Sequence, residues 1–131
     1  MKKLNNFING KSVESTSGET TTLVNPATGQ PFATAPKSNA ADVDAAFKAA
    51  SDAFVDWRDS TPSQRQRALL KIADAIESRA EEVIAIECEN TGKPVSLTTS
   101  EEVPPMVDQI RFFAGAAEIL KGNLLGNTCQ E

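Results

Sequence analysis

Residues 20–47, TTTLVNPATGQPFATAPKSNAADVDAAF, contain the change of pattern that decides the fold. The β-branched run from Thr20 to Val24 favours extended backbone, and Asn25-Pro26-Ala27-Thr28-Gly29 is a cluster of turn formers. A second short strand is expected around Phe32 to Ala35. From Ala40 the period becomes that of a helix. Val43, Phe47, Ala50, Phe54 and Trp57 fall on one face, and Asp42 and Asp44 stand in a first turn where negative charge suits the helix dipole. The chain therefore divides into an extended, hairpin-rich segment (1–37) and a helical segment (38–122).

Upstream, Phe7-Ile8 and Val13 flank Asn9-Gly10, a dipeptide that tolerates positive φ and predicts a tight β-hairpin. Downstream, the first helix should end near Trp57. Thr61-Pro62-Ser63-Gln64 then reads as a helix start, with Thr61 as cap, Pro62 in the first helical position and Gln64 reaching back to complete a capping box. Leu69, Ile72, Ala73 and Ile76 form the buried stripe expected of this helix. A third helical segment carries Val83, Ile84 and Ile86 and stops at Gly92, with Pro94 beyond it. The last helix is expected to start near Ser100 or Glu101, because Pro104 and Pro105 are tolerated where first-turn amides lack partners anyway. Its apolar line runs through Val103, Val107, Ile110, Phe112 or Phe113, Ala117 and Leu120 to a stop at Gly122. Short strands followed by about four helices are the expected order.

A length of 131 residues with 40% hydrophobic content suits one compact folded unit. The net charge of -5, with bases scattered among acids, offers no basic stripe for a nucleic-acid backbone. The start Met1-Lys2-Lys3 is followed by no continuous apolar core, so a secretory signal is not expected, and no run approaches the roughly 18 apolar residues of a membrane span. Two cysteines, Cys88 and Cys129, and no histidine suit a reducing cytoplasm and offer no zinc-ligand spacing. Cytoplasmic location is the expectation.

Chemical constellations are sparse. The seven glycines form neither a dinucleotide-binding nor a P-loop pattern, so no cofactor-binding residue is expected here. Without histidine, Ser-His and Cys-His pairs are excluded within the chain. Cys88 lies between Glu87 and Glu89, a setting that blunts a thiol, and Cys129 has no basic neighbour to activate it. Glu81-Glu82 and Glu101-Glu102 are adjacent acids at helix starts, where they serve the dipole. No catalytic residue is expected within the chain.

The motifs, taken together, resemble a known family. Ile8-Asn9-Gly10-Lys11 and Val24-Asn25-Pro26-Ala27-Thr28-Gly29, then Asp42-Val43-Asp44, Ala53-Phe54 with Trp57, and Thr61-Pro62 with Arg65 follow in order. Asn90-Thr91-Gly92-Lys93-Pro94 and Arg111-Phe112-Phe113-Ala114-Gly115-Ala116-Ala117 complete the series. In this order and spacing, over roughly residues 7 to 122, they resemble the opening of the aldehyde dehydrogenases, an α/β family. The stretch from Glu102 to Ala117 looks most like enzymes that oxidise aminoaldehydes, gamma-aminobutyraldehyde and betaine aldehyde dehydrogenases among them.

The resemblance implies an NAD-dependent homo-oligomeric enzyme that attacks its aldehyde substrate with a cysteine thiolate and releases the acid with a glutamate-activated water. It also implies that the catalytic cysteine, that glutamate, the oxyanion-hole asparagine and the glycine-rich cofactor loop lie beyond residue 131. The catalytic domain is thus absent, no NAD is expected on this chain alone, and residues 123–131 depart from the family pattern. Two roles carry over by resemblance. Leu23, Val24 and Asn90 match a structural monovalent-cation site, with Asn90 in place of the more usual aspartate. Glu102, then Glu101 and Asp108, match acids of a substrate tunnel that hold a distant ammonium, while the competing reading leaves them as helix-start decoration. In the family this segment packs on the cofactor domain, so the apolar faces around Phe47, Phe54, Trp57 and Ile110 to Phe113 should stay partly exposed in the chain alone. An interaction module that binds a partner subunit through those faces is the rival class, and a carrier domain lacks a placed attachment serine.

Overall fold

The computed structural model describes residues 1–119. Five short strands lead: β1 (Lys2–Lys3), β2 (Asn6–Ile8), β3 (Lys11–Val13), β4 (Thr20–Val24) and β5 (Pro31–Pro36). Strands β2 and β3 form the predicted antiparallel hairpin. Asn9 and Gly10 both take positive φ, 51° and 73°, which matches the right-handed twist of the flanking strands. The second sheet has the order β1-β5-β4, with β4 antiparallel and β1 parallel to β5. β1 is invisible to hydrophobic patterning because its two lysines are exposed and only backbone pairing holds it.

Helix α1 (Ala40–Arg58) begins at a capping box that sequence reading overlooked, in which Asn39 caps and Asp42 reaches back. Asp42 does far more than serve a dipole. Its carboxylate accepts from Ser15 Oγ at 2.5 Å, from the Thr16 amide and hydroxyl at 2.9 Å each, and from the Asn39 amide at 3.0 Å. The residue is 5% exposed, and the hydrogen bond from Ser15, followed by those from Thr16 and Asn39, holds its carboxyl well below the usual carboxylate range. The loop after β3 is thereby tied to the first turn of α1. Along the rest of that helix Val43, Phe47, Phe54, Val55 and Trp57 are exposed.

Helix α2 (Pro62–Ser78) has the expected start: Thr61 Oγ1 accepts from the Gln64 amide at 3.2 Å, and Gln64 Oε1 accepts from the Thr61 amide at 2.7 Å. Ala73 is buried and Leu69 and Ile76 are half-buried, but Ile72 faces outward, correcting the stripe drawn from periodicity. Helix α3 (Ala80–Thr91) ends at Gly92, which is left-handed with φ 75°. The glycine is required twice over, since a Cβ there would also lie 2.9 Å from Cγ of Pro26. The Asn25–Gly29 turn is thus packed on the end of α3.

The last helix corrects the sequence reading. It begins at Val95, not near Ser100: α4 (Val95–Leu97) runs through a π-helical turn (Thr98–Glu102) into α5 (Val103–Ile119). Pro104 and Pro105 follow the π turn, where the amide of Val103 reaches back to the carbonyl of Thr98. The register shift gives helical backbone ahead of the prolines without the hydrogen bonds they cannot donate. Thr98, Thr99 and Ser100 hydroxyls donate to carbonyls four residues back and help to hold this turn.

The core lies between α2 and α5, with Ala73, Val103, Val107 and Ala114 buried there and Ile84 beside them. Arg111 faces α2 and donates to Glu77 Oε2 at 2.6 Å and Asp74 Oδ1 at 3.0 Å. Phe112 and Phe113 are 71% and 60% exposed, as expected for the face from Ile110 to Phe113, and stack edge to face at 5.4 Å. Leu120, the Gly122 stop, the tail 123–131 and Cys129 lie outside the described residues.

Candidate functional site

A cleft of about 460 Å³ opens on one flank of α5, with Leu69 of α2 as its far wall. Glu102 from the π turn and Pro105, Met106, Gln109, Ile110 and Phe113 from α5 line it. These positions recur at three- and four-residue spacing, so a single helix face makes most of the site. The wall is apolar apart from Glu102 and the Gln109 amide.

Glu102 is held from behind. Lys93 Nζ donates to Glu102 Oε2 and to Glu87 Oε1 at 3.1 Å each, and lies 2.9 Å from Glu102 Oε1. Hydrogen bonding to Glu102 first, then to Glu87, stabilises the Lys93 ammonium and raises its pKa. The left-handed turn at Gly92 reverses the chain after α3, and Lys93 follows it directly. Sequence reading missed this triad, although the Thr91-Gly92-Lys93-Pro94 motif placed a cation at a helix end six residues after one acid and nine before another.

The three acids named from sequence do not converge. Asp108 lies on the other flank of α5, where it lines a separate cleft of about 190 Å³ with Thr99, Val103 and Glu77. Glu101 is exposed and lines neither cleft. Only Glu102 combines a place in the larger cleft with a defined set of partners.

Leu23 and Val24 end β4 just before the Asn25-Pro26 turn, and the Pro26 ring lies against Gly92, two residues after Asn90. Contact between that turn and the end of α3 brings the two parts of the sequence-matched cation site to one side of the molecule. The pairing of β4 with β5 shifts register between Leu23 and Val24. Such a shift leaves one residue out of the ladder and re-aims backbone groups. The oxygens these residues could offer are backbone carbonyls and one side-chain amide, a neutral set. Among the described residues, no three His, Cys, Asp or Glu side chains are grouped to hold a metal.

Cys88 is half-buried and donates to Thr98 Oγ1 at 3.5 Å, so its sulfur packs against the base of the π turn. The left-handed glycines, Gly10, Gly18, Gly29 and Gly92, stand in turns or at a helix end, and none opens a helix where phosphates could be cradled.

The sequence matches the aldehyde dehydrogenase family over residues 12–130. It is 40% identical to aldehyde dehydrogenase 1 of Tanacetum cinerariifolium over 121 residues, which cover 91% of this chain and 24% of that protein. Among solved structures, PnpE in complex with nicotinamide adenine dinucleotide superposes with a TM-score of 0.88 at 33% identity, over 96% of this chain and 26% of its own. An NAD-dependent aldehyde dehydrogenase from Sinorhizobium meliloti gives 0.85 at 33% identity over the same shares. The chain spans about a quarter of the length of the curated relatives it matches.

Proposed function

The chain belongs to the aldehyde dehydrogenase family, and from that premise we propose that it is the N-terminal segment of an enzyme that oxidises an aldehyde to a carboxylate with NAD. The observation that carries this is the match of 96% of this chain to 26% of the length of PnpE, at a TM-score of 0.88. NAD, held by the part of the enzyme beyond this segment, supplies the hydride acceptor. The segment itself contributes a wall for the substrate and none of the reacting groups, so the 131 residues alone are inactive.

The substrate reading is an aminoaldehyde, with Glu102 holding the ammonium at the far end from the aldehyde. An apolar cleft with one carboxylate at its edge suits a short methylene chain ending in a cation. Glu101 and Asp108 add to the negative field without contact. In the full-length enzyme, Glu102→Gln should raise KM for 4-aminobutanal about fivefold, the effect of one unit charge a few ångströms away in a water-like dielectric. KM for butanal should not move. Equal changes for both aldehydes would remove the aminoaldehyde reading.

Leu23, Val24 and Asn90 are proposed to take a monovalent cation through neutral oxygens, and a melting temperature indifferent to potassium would count against them. A cytoplasmic homo-oligomer is the accompanying proposal, supported by the sparse cysteines and by the family. No helix among the described residues is long and apolar enough to cross a membrane. The exposed aromatic face of α1 also favours a second reading, a non-catalytic module that binds a partner subunit through that face. Purified enzyme activity in the full-length protein separates the two.

A further inference from the structure

Glu102 does not meet the cleft as a free carboxylate, because Lys93 bridges it to Glu87. Two carboxylates and one ammonium leave the triad with one surplus negative charge. Glu87 lines no part of the cleft that Glu102 enters, and the three side chains are each a little over one-third exposed. We propose that Lys93 and Glu87 set the substrate preference of the cleft from behind, Lys93 by competing with a substrate ammonium for Glu102 and Glu87 by drawing Lys93 away. This rests on the reading of Glu102 as the group that holds a cationic substrate.

The geometry permits the exchange at little cost. When an ammonium occupies Glu102, Lys93 keeps Glu87 as its partner, so each of two cations faces one carboxylate. Removing Lys93 frees both acids and leaves two negative charges, Glu102 at the cleft edge and Glu87 behind it. Removing the charge of Glu87 commits Lys93 wholly to Glu102 and brings the cluster to neutrality. The two substitutions therefore act in opposite directions on a cationic substrate, although neither residue touches it. A merely structural role would not produce that pattern.

The test is steady-state kinetics of the full-length enzyme with 4-aminobutanal and butanal. Lys93→Met should lower KM for 4-aminobutanal about threefold and Glu87→Gln should raise it about twofold, less than at Glu102 because each unit charge lies farther from the ammonium. Neither should alter kcat, or KM for butanal. Lys93→Arg, which keeps the charge, should behave like the parent enzyme. Should Lys93→Met fail to fold, as a fallen melting temperature would reveal, Glu87→Gln still decides. Shifts of the same sign in the two variants, or equal shifts for both aldehydes, overturn the proposal. If Glu102→Gln discriminates between the aldehydes while the Glu87 and Lys93 variants do not, this inference fails alone; if Glu102→Gln does not discriminate, the aminoaldehyde reading fails with it.

Discussion

Produced alone, residues 1–131 should behave as an unclosed body, and the structure sets the size of the opening. The accessible area is 9989 Å². A closed monomer of the same mass exposes about 6,700 Å². The excess, about 3,300 Å², is more than the ~1,900 Å² that residues 120–131 could add even as fully extended chain. What remains after that allowance, about 1,400 Å², is nearly twice the ~800 Å² that each partner commits to a standard protein interface. Much of it is aromatic: Phe47, Phe54 and Trp57 stand out along α1, and Phe112 and Phe113 along α5. The isolated chain should bind the dye ANS, associate as its concentration rises, and melt over a broad range while keeping its far-UV helical signal. Replacing Phe47, Phe54 and Trp57 together by serine should cut dye binding and self-association with no loss of helix, since these side chains pack on little within the chain. A monomer that binds little ANS and unfolds in one sharp cooperative transition would refute the reasoning.

Three local predictions can be read by amide hydrogen exchange, which reports each element separately. Val107, 3% exposed between α5 and α2, loses two methyl groups on Val107→Ala; burial plus cavity terms give a loss of roughly 1.5–3 kcal/mol, seen as faster exchange in both helices. Gly92→Ala combines a left-handed conformation costing about 1–2 kcal/mol with a Cβ 2.9 Å from Pro26, and together they should cost roughly 2–4 kcal/mol in protection at the end of α3. Adding Pro26→Ala should recover only the steric share, so a double variant no better than the single one would disprove the contact. Asp42 has a folded-state pKa depressed by its donors, so the stability it adds is present above the unfolded carboxyl pKa, ~3.9, and is lost as pH falls through the folded value. Protection of the first turn of α1 should hold between pH 7 and 5 and begin to fall below about pH 4, and Asp42→Ala should remove that dependence. A flat profile in the parent chain, or a loss already complete at pH 5, would contradict the four-donor arrangement.

The sequence announces elements whose causes are local. Asn9-Gly10 needs only its own tolerance of positive φ to make a hairpin, and Thr61 with Gln64 needs only three residues to cap α2. Asn39 with Asp42 carried the same signal, but an aspartate in the third helical position looks like a dipole residue until Ser15 and Thr16 arrive from a loop more than twenty residues away. Pro104 and Pro105 misplace the start of the last helix because the rule that sets prolines in a first turn assumes hydrogen bonds four residues back, and the π turn uses five. The Lys93 bridge was illegible for the reason that hides most ion pairs: two helices must first be folded against a turn.

The exposure of Phe112 and Phe113 has a local cause as well. Periodicity identifies residues that share a face but not what covers it, and on α5 the position toward α2 goes to Ala114, whose small side chain lets the helices approach, and to Arg111, which finds Glu77 and Asp74. The phenylalanines turn away, as do Phe47, Phe54 and Trp57 on α1. Large aromatics at helical spacing that no described element covers cost solubility without adding stability to the chain that bears them. Sequence pattern and burial disagree along these two helices and at Ile72, and agree at Leu69, Ala73 and Ile76 of α2 and at the turns. Relatives about four times as long hold the same fold within larger chains, which supports the proposal that the apolar stripes pack against polypeptide these residues do not include.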